Sequence, residues 1–318
     1  MKGRFRQGDA GAGSNDERKR PRMEENRDSW LKIAWRLFYP LLLYMGIQMV
    51  AAMIGSIILT IIVLMDGSLL EADSMAEQIL YIESLVAGPV GYYITLATNA
   101  ITIPFAWLFY RSDKKKRAAI GQEIAYNQAS FMEYVLIAMV AFGACIGGNN
   151  ILLGIGLAEI DTAYQEAAQT LYSTGLWIQL LGTVVVAPVC EELLFRGLIY
   201  KRMKEYMTPG MAMFLSALAF GFFHGNMTQM VYSGALGFLM AYVYEKYHNL
   251  LAPVLFHAVA NLFSVVVTET GILDFMYSSR PMMFISGILG IIVVVVGVRM
   301  IRDTVKLEPK DPVSRVEL

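Results

Sequence analysis

Glu191, Glu192 and Arg196 lie in the run VVVAPVCEELLFRGLIY, which is otherwise almost wholly apolar. A charge at the centre of a membrane-spanning helix costs about 2.5–3.5 kcal/mol on insertion scales, so such groups persist where they face a partner or a cavity. His224 and His257, two of the chain's three histidines, also fall in apolar runs. Glu192 and Arg196 are four residues apart, so on a helix they share a face and can pair. Glu191 is turned about 100° from Glu192. One carboxylate can therefore be neutralised by the arginine while the other points elsewhere. The same i,i+4 spacing recurs in HAVAN, between His257 and Asn261, and in FGFFH, between Phe220 and His224. Three helices can each bring a polar face to one point.

A carboxylate, two imidazoles and a carboxamide suit the activation of water. A carboxylate desolvated in a membrane cavity is a stronger base than one in bulk solvent. An imidazole can help to hold the water, and a histidine–asparagine pair can donate to the oxyanion of a tetrahedral intermediate. The same set offers zinc two nitrogens and one oxygen, from His224, His257 and Glu191, with a position left for water. Other chemistries find less support. Cys145 and Cys190 have no histidine near them in sequence and read as small apolar fillers. HExxH is absent, because HAVAN lacks both its glutamate and its second histidine. Phe220 reads as packing, His248 in YEKYHN as a solvated edge residue, and Asn149 and Asn150 as helix packing or a break.

The elements that must carry these residues are transmembrane helices. Of 318 residues 56% are hydrophobic, 17% are charged and the mean hydropathy is +0.49, against about 45–50% apolar for soluble domains. The expected fold is all-α: a polytopic membrane protein of about eight transmembrane helices enclosing a polar chamber. The expected spans are 37–65, 85–110, 132–157, 175–200, 209–225, 228–245, 250–268 and 282–301. The fifth and sixth are short. Counted at about 1.5 Å per residue, a straight, upright fifth helix carries His224 to a different depth from Glu191 and His257. Tilt, a kink at Gly221 or a start outside the bilayer would reconcile them.

Orientation follows lysine and arginine. With both termini on one side, 24 of the 26 basic residues fall there, leaving Arg196 within a helix and Arg280 opposite. That side is read as the cytoplasm, and the membrane as the cytoplasmic membrane. Residues 1–30, nearly free of aliphatics, read as a disordered cytoplasmic tail whose ERKRPR cluster can touch anionic lipid. Residues 31–130 hold two helices and a basic loop, 131–301 the core with the polar motifs, and 302–318 a cytoplasmic tail.

The three motifs together resemble a known family. EELLFRG matches EExxxR, FGFFH matches FxxxH and HAVAN matches HxxxN, in that order, of the type II CAAX prenyl endopeptidases, also called the CPBP family. The resemblance covers roughly residues 130–300. It implies an intramembrane endopeptidase, with Glu191 as general base, His224 sharing the water, His257 and Asn261 stabilising the oxyanion, and Glu192 and Arg196 holding the site in shape. Members are commonly labelled metalloproteases, so one zinc on Glu191, His224 and His257 is an open alternative to a metal-free glutamate mechanism. The partners expected are a membrane-associated protein or peptide, of the prenylated CAAX type if the family name applies, and the bilayer, with no nucleic acid. Two rival functions keep the same residues: a non-enzymatic scaffold or immunity-type protein with a structural polar core, and a transporter that relays protons through its carboxylates.

Overall fold

The computed structural model describes residues 30–66, 74–86, 88–124, 126 and 128–307. The tail reading for 1–30, with its lipid-contact cluster, falls outside these residues except for Trp30, as does the C-terminal tail from 308 onward. The described residues form helices joined by turns: α1 (Trp30–Asp66), α2 (Met75–Val86), α3 (Pro89–Ala119), α4 (Phe131–Gly154), α5 (Leu157–Ile160), α6 (Thr162–Tyr172), α7 (Leu176–Met203), α8 (Pro209–Phe222), α9 (Met227–Tyr247), α10 (Leu251–Thr270) and α11 (Arg280–Thr304).

Local chemistry sets the boundaries. Ser130 and Glu133 form a reciprocal capping box at the start of α4. Thr208 caps α8 with Pro209 in its first turn, where a missing N–H costs nothing. Asn226 caps α9, which ends at His248 in a left-handed conformation, and Gly271 ends α10 in the same way.

Five helices are long and apolar enough to cross a membrane: Trp30–Met65, Phe131–Gly154, Leu176–Met203, Leu251–Thr270 and Arg280–Thr304. The α2–α3 pair, bent by 51°, makes a sixth if taken as one span. The chain is thus an all-α, multi-pass membrane protein, with five or six spans among the described residues, so the expected count of eight is not confirmed. Of the two remaining expected spans, α9 has the length at 21 residues but not the apolarity, and α8 is short. The 14 residues of α8 reach only about 21 Å, less than a hydrocarbon core of about 30 Å. The helix stops at Phe222, so His224 sits in the turn that follows rather than deep within a rod.

Packing follows membrane rules, in which small residues let backbones approach. Gly143 and Gly147 on α4 face Gly290 on α11. A Cβ added at Gly290 would stand 2.5 Å from the Gly147 nitrogen and 2.7 Å from the Gly143 oxygen. Asn150 Nδ2 donates to Ser286 Oγ at 2.6 Å across the same seam, so Asn150 serves helix packing.

An ionic anchor ties α1 and α3 to the end of α7. Arg202, 1% exposed, donates from Nε to Asp113 at 2.6 Å, from Nη1 to the Arg36 carbonyl at 2.7 Å and from Nη2 to the Tyr39 hydroxyl at 2.6 Å. Beside it Arg117 and Lys201 meet Glu123 at 2.9 and 3.1 Å, and Arg36 meets Glu205 at 2.8 Å.

Two consequences can be measured on protein in detergent. Gly290→Leu overpacks the α4–α11 seam and should lower unfolding stability by about 1–3 kcal/mol, whereas Val295→Leu on the exposed side of α11 should leave the thermal midpoint unchanged. Burial would raise the Glu123 pKa, but the hydrogen bond from Arg117 and the charge of Lys201 outweigh it and hold the carboxyl below its usual range. A depressed folded value means stability that is present above the unfolded pKa of about 4.3 and lost as pH falls through the folded value. Glu123→Gln should therefore lower the thermal midpoint at pH 7, and the gap to the parent should close on acidification below pH ~4.

Candidate active site

The site is built on α7, and α7 is not a regular helix. Residues Leu180–Val186 and Leu193–Tyr200 form π turns on either side of an α-helical stretch, Ala187–Glu192. The two glutamates end that stretch. Glu192 is completely buried, and its Oε1 accepts from Arg196 Nη1 at 2.7 Å and from His257 Nδ1 at 3.0 Å. Arg196, equally buried, also donates from Nη2 to the Gly237 carbonyl on α9 at 2.9 Å, and its guanidinium lies 4.5 Å from the centre of the Phe220 ring on α8. The i,i+4 pair read from the sequence thus forms, and it fastens α7 to α8, α9 and α10.

A carboxylate can only accept, so His257 gives its Nδ1 proton to Glu192. This leaves the Nε2 lone pair turned toward Glu191. Nε2 and Glu191 Oε2 stand 3.9 Å apart. That gap is too long for a direct hydrogen bond and suits a molecule between them that bonds to both. Glu191 Oε2 is buried without a hydrogen-bond partner among the described residues, while its side chain as a whole is 19% exposed. Glu192 Oε2 is buried without a partner as well, so what separates the two glutamates is that Glu192 is tied through Oε1 to Arg196 and His257.

His224 is brought to the same neighbourhood through Phe220. Its Nδ1 lies 2.9 Å from the Phe220 carbonyl, an acceptor, so the ring donates there and keeps its Nε2 lone pair free. The Phe220 ring meets His224 edge-on at 5.0 Å between centroids and His257 edge-on at 5.8 Å, and it also touches Phe195 at 5.0 Å. Phe220 thus packs, as its type suggests, and the surfaces it packs against are both imidazoles and the arginine. Asn261, one turn beyond His257 on α10, spends its Nδ2 on the Thr183 carbonyl in the first π turn, at 2.7 Å.

Three residues from α1 and α3 close the site and were not singled out in the sequence. Tyr44 and Gln48 both donate to Asn99 Oδ1, at 3.2 and 3.1 Å. The Tyr44 ring lies 6.0 Å from that of Phe223, and the residue is near enough to Glu191 for their charges to interact. Tyr44 and Gln48 share the i,i+4 spacing of the recognised motifs, which was the available signal. Cys190, beside Glu191, is fully buried and acts as a filler, as its type suggests.

The donor set has the chemistry for a cation, with unpaired carboxylate oxygens on Glu191 and Glu192 and two free imidazole nitrogens. Its placement does not. Among the described residues no three histidine, cysteine, aspartate or glutamate side chains gather closely enough to hold a metal ion. Glu191 and His257 come near each other, and His224 is joined to them through the Phe220 ring, which both imidazoles meet edge-on. What the geometry offers without rearrangement is a base, an imidazole acceptor and a gap between them.

Comparison with known proteins falls on the same stretch. Residues 173–263 match the family model for Rce1-like type II CAAX prenyl endopeptidases. A curated relative, "Putative membrane peptidase YdiL" of Bacillus subtilis (strain 168), is 25% identical over 152 residues, 48% of this chain. The match spans 59% of that relative's length. No solved structure matches. Residues 173–263, which supply both glutamates, Arg196, both imidazoles and Asn261, therefore relate this chain to the type II CAAX prenyl endopeptidase, Rce1-like family.

Proposed function

We propose that this chain is an intramembrane endopeptidase that hydrolyses a peptide bond in a membrane-associated protein or peptide. The observation that carries the reading is the buried, unpartnered Oε2 of Glu191 facing the free Nε2 of His257 across 3.9 Å, inside an apolar span. A water in that gap can donate one proton to each. Glu191 takes one proton as the water oxygen attacks the peptide carbonyl, and the carbonyl electron pair moves onto oxygen. The tetrahedral oxyanion accepts from the second N–H of Asn261. Collapse breaks the C–N bond as Glu191 returns its proton to the leaving amine. Glu192, fixed by Arg196, holds His257 in the tautomer this requires and stays out of the chemistry.

The substrate class follows from the site's setting and from the family match. Glu191 and His257 lie on helices apolar enough to cross a membrane, so a substrate must reach them from the bilayer or its surface as an extended segment. Prenylated CAAX-type chain ends are the class that the family name brings. The lysine and arginine distribution supports an orientation with both termini in the cytoplasm.

The test is cleavage of a membrane-tethered peptide library by purified protein, analysed by mass spectrometry. Glu191→Gln should cut the rate by about 10²-fold or more, the usual share of a general base. His257→Ala should also abolish cleavage while the fold survives. Full activity in Glu191→Gln would refute the assignment. The proposed water activation runs on protein groups, so a chelator should leave the rate unchanged. A loss on chelation that zinc restores would instead move Glu191 and His257 into a metal shell. Arg196→Met strands the buried Glu192 and should destabilise the fold by about 3–5 kcal/mol, read as a drop in thermal midpoint.

A further inference from the structure

The helix that presents Glu191 is held out of regular register from two sides. Tyr92, on α3, sends its hydroxyl to the Gln179 carbonyl at 3.0 Å, at the entry to the first π turn of α7. Asn261, on α10, sends its amide to the Thr183 carbonyl at 2.7 Å, within that turn. Gln179 is itself fixed, its Nε2 donating to the Thr174 carbonyl and to Glu269, each at 2.8 Å. Gly182 makes the room: a Cβ there would stand 2.2 Å from the Tyr92 hydroxyl oxygen and 2.8 Å from its ring. We propose that Tyr92 and Asn261 are positioning residues, a two-sided clamp on the π turn that sets the rotation of Glu191 toward His257.

The physical reason is the geometry of a π turn. It carries one residue more per hydrogen-bonded ring than the α-helix, and such turns arise where side chains insert into the backbone ladder. If the turn anneals to α register, the chain beyond it rotates by roughly 100° and shifts by about 1.5 Å. Glu191 follows the turn by only a few residues, so that rotation would carry its carboxylate off His257. Glu192, tied to Arg196 and His257, resists it. The clamp holds the opposite end, so the stretch Ala187–Glu192 is fixed at both ends. Tyr92 lies outside the 173–263 family match, so the clamp belongs in part to this chain's own N-terminal helices.

This inference rests on the reading of Glu191 as the base, and the experiment separates the two. Tyr92 touches the backbone of α7 and not the gap beside Glu191, so it carries the kinetic test. Full-length protein in detergent is assayed on the tethered peptide, with hydrogen–deuterium exchange followed over residues 179–196. Tyr92→Phe should lower kcat by about 10- to 100-fold, as small misplacements of a catalytic group do, with KM within about twofold and faster exchange confined to 179–196. Gly182→Ala should reproduce that loss, and adding Tyr92→Phe to it should cost little more, because both remove the same contact. Tyr93→Phe, on an exposed neighbour, should match the parent. Asn261→Ala should speed exchange over the same residues. Wild-type kcat and exchange in Tyr92→Phe would overturn the clamp, as would faster exchange spread over the whole bundle. If the parent itself fails to cleave, the base assignment falls, and the exchange pattern still decides the clamp.

Discussion

The buried contact between Glu192 and Arg196 is the constraint on which the rest of the site depends. Each charge alone inside an apolar helix is costly, and neither has access to water. At 2.7 Å they compensate one another, and each also holds a neighbour: Glu192 Oε1 accepts from His257, and Arg196 donates to the Gly237 carbonyl and lies over the Phe220 face, while Glu192 Oε2 and Arg196 Nε have no partner among the described residues. A buried ion pair is weak evidence of stability but good evidence of specificity, because only one arrangement of the surrounding helices satisfies it. Here that arrangement joins α7, α8, α9 and α10. The four helices carry every residue to which the proposed hydrolysis assigns a role.

The pair also explains why two adjacent, chemically identical glutamates have different fates. A helix turns them about 100° apart, so only Glu192 can meet Arg196. Glu191 is left with a buried oxygen that has no partner among the described residues. His257 connects the two. Its Nδ1 reads the neutralised carboxylate and its Nε2 faces the free one, so the tautomer that Glu192 imposes is the one that gives Glu191 a neutral acceptor opposite. One glutamate is spent on structure so that the other can be kept for chemistry.

Much of this was legible in the sequence, and the reasons are specific. The i,i+4 spacing in EELLFRG, FGFFH and HAVAN depends only on helical periodicity, and the Glu192–Arg196 contact formed as that spacing demands. Hydropathy gave the helices. The irregularity of α7 was hidden, because an apolar run reads alike whether its turns are α or π. What distinguishes them here is supplied from 87 and 78 residues away by Tyr92 and Asn261. The short segment at 209–225 was visible, but its consequence was not. The helix ends at Phe222, and His224 follows it in a turn. The count of eight spans is not confirmed among the described residues, since α8 has too little length and α9, at 21 residues, too little apolarity.

The N-terminal helices are more than an appendage to the family-matched segment. Arg202 was counted in the sequence as one more basic residue marking a cytoplasmic loop, yet it is buried at 1% exposure and locked to Asp113, Tyr39 and the Arg36 carbonyl. A guanidinium with five N–H groups can hold three partners at once, and these come from α1 and α3. The same two helices send Tyr44, Gln48 and Asn99 to the far side of Glu191, and Tyr92 to the π turn before it. Charge pairs beyond one end of the Glu191-bearing stretch and a hydroxyl beyond the other both act on α7, so residues outside 173–263 contact it at both ends, together with Asn261 from within that range.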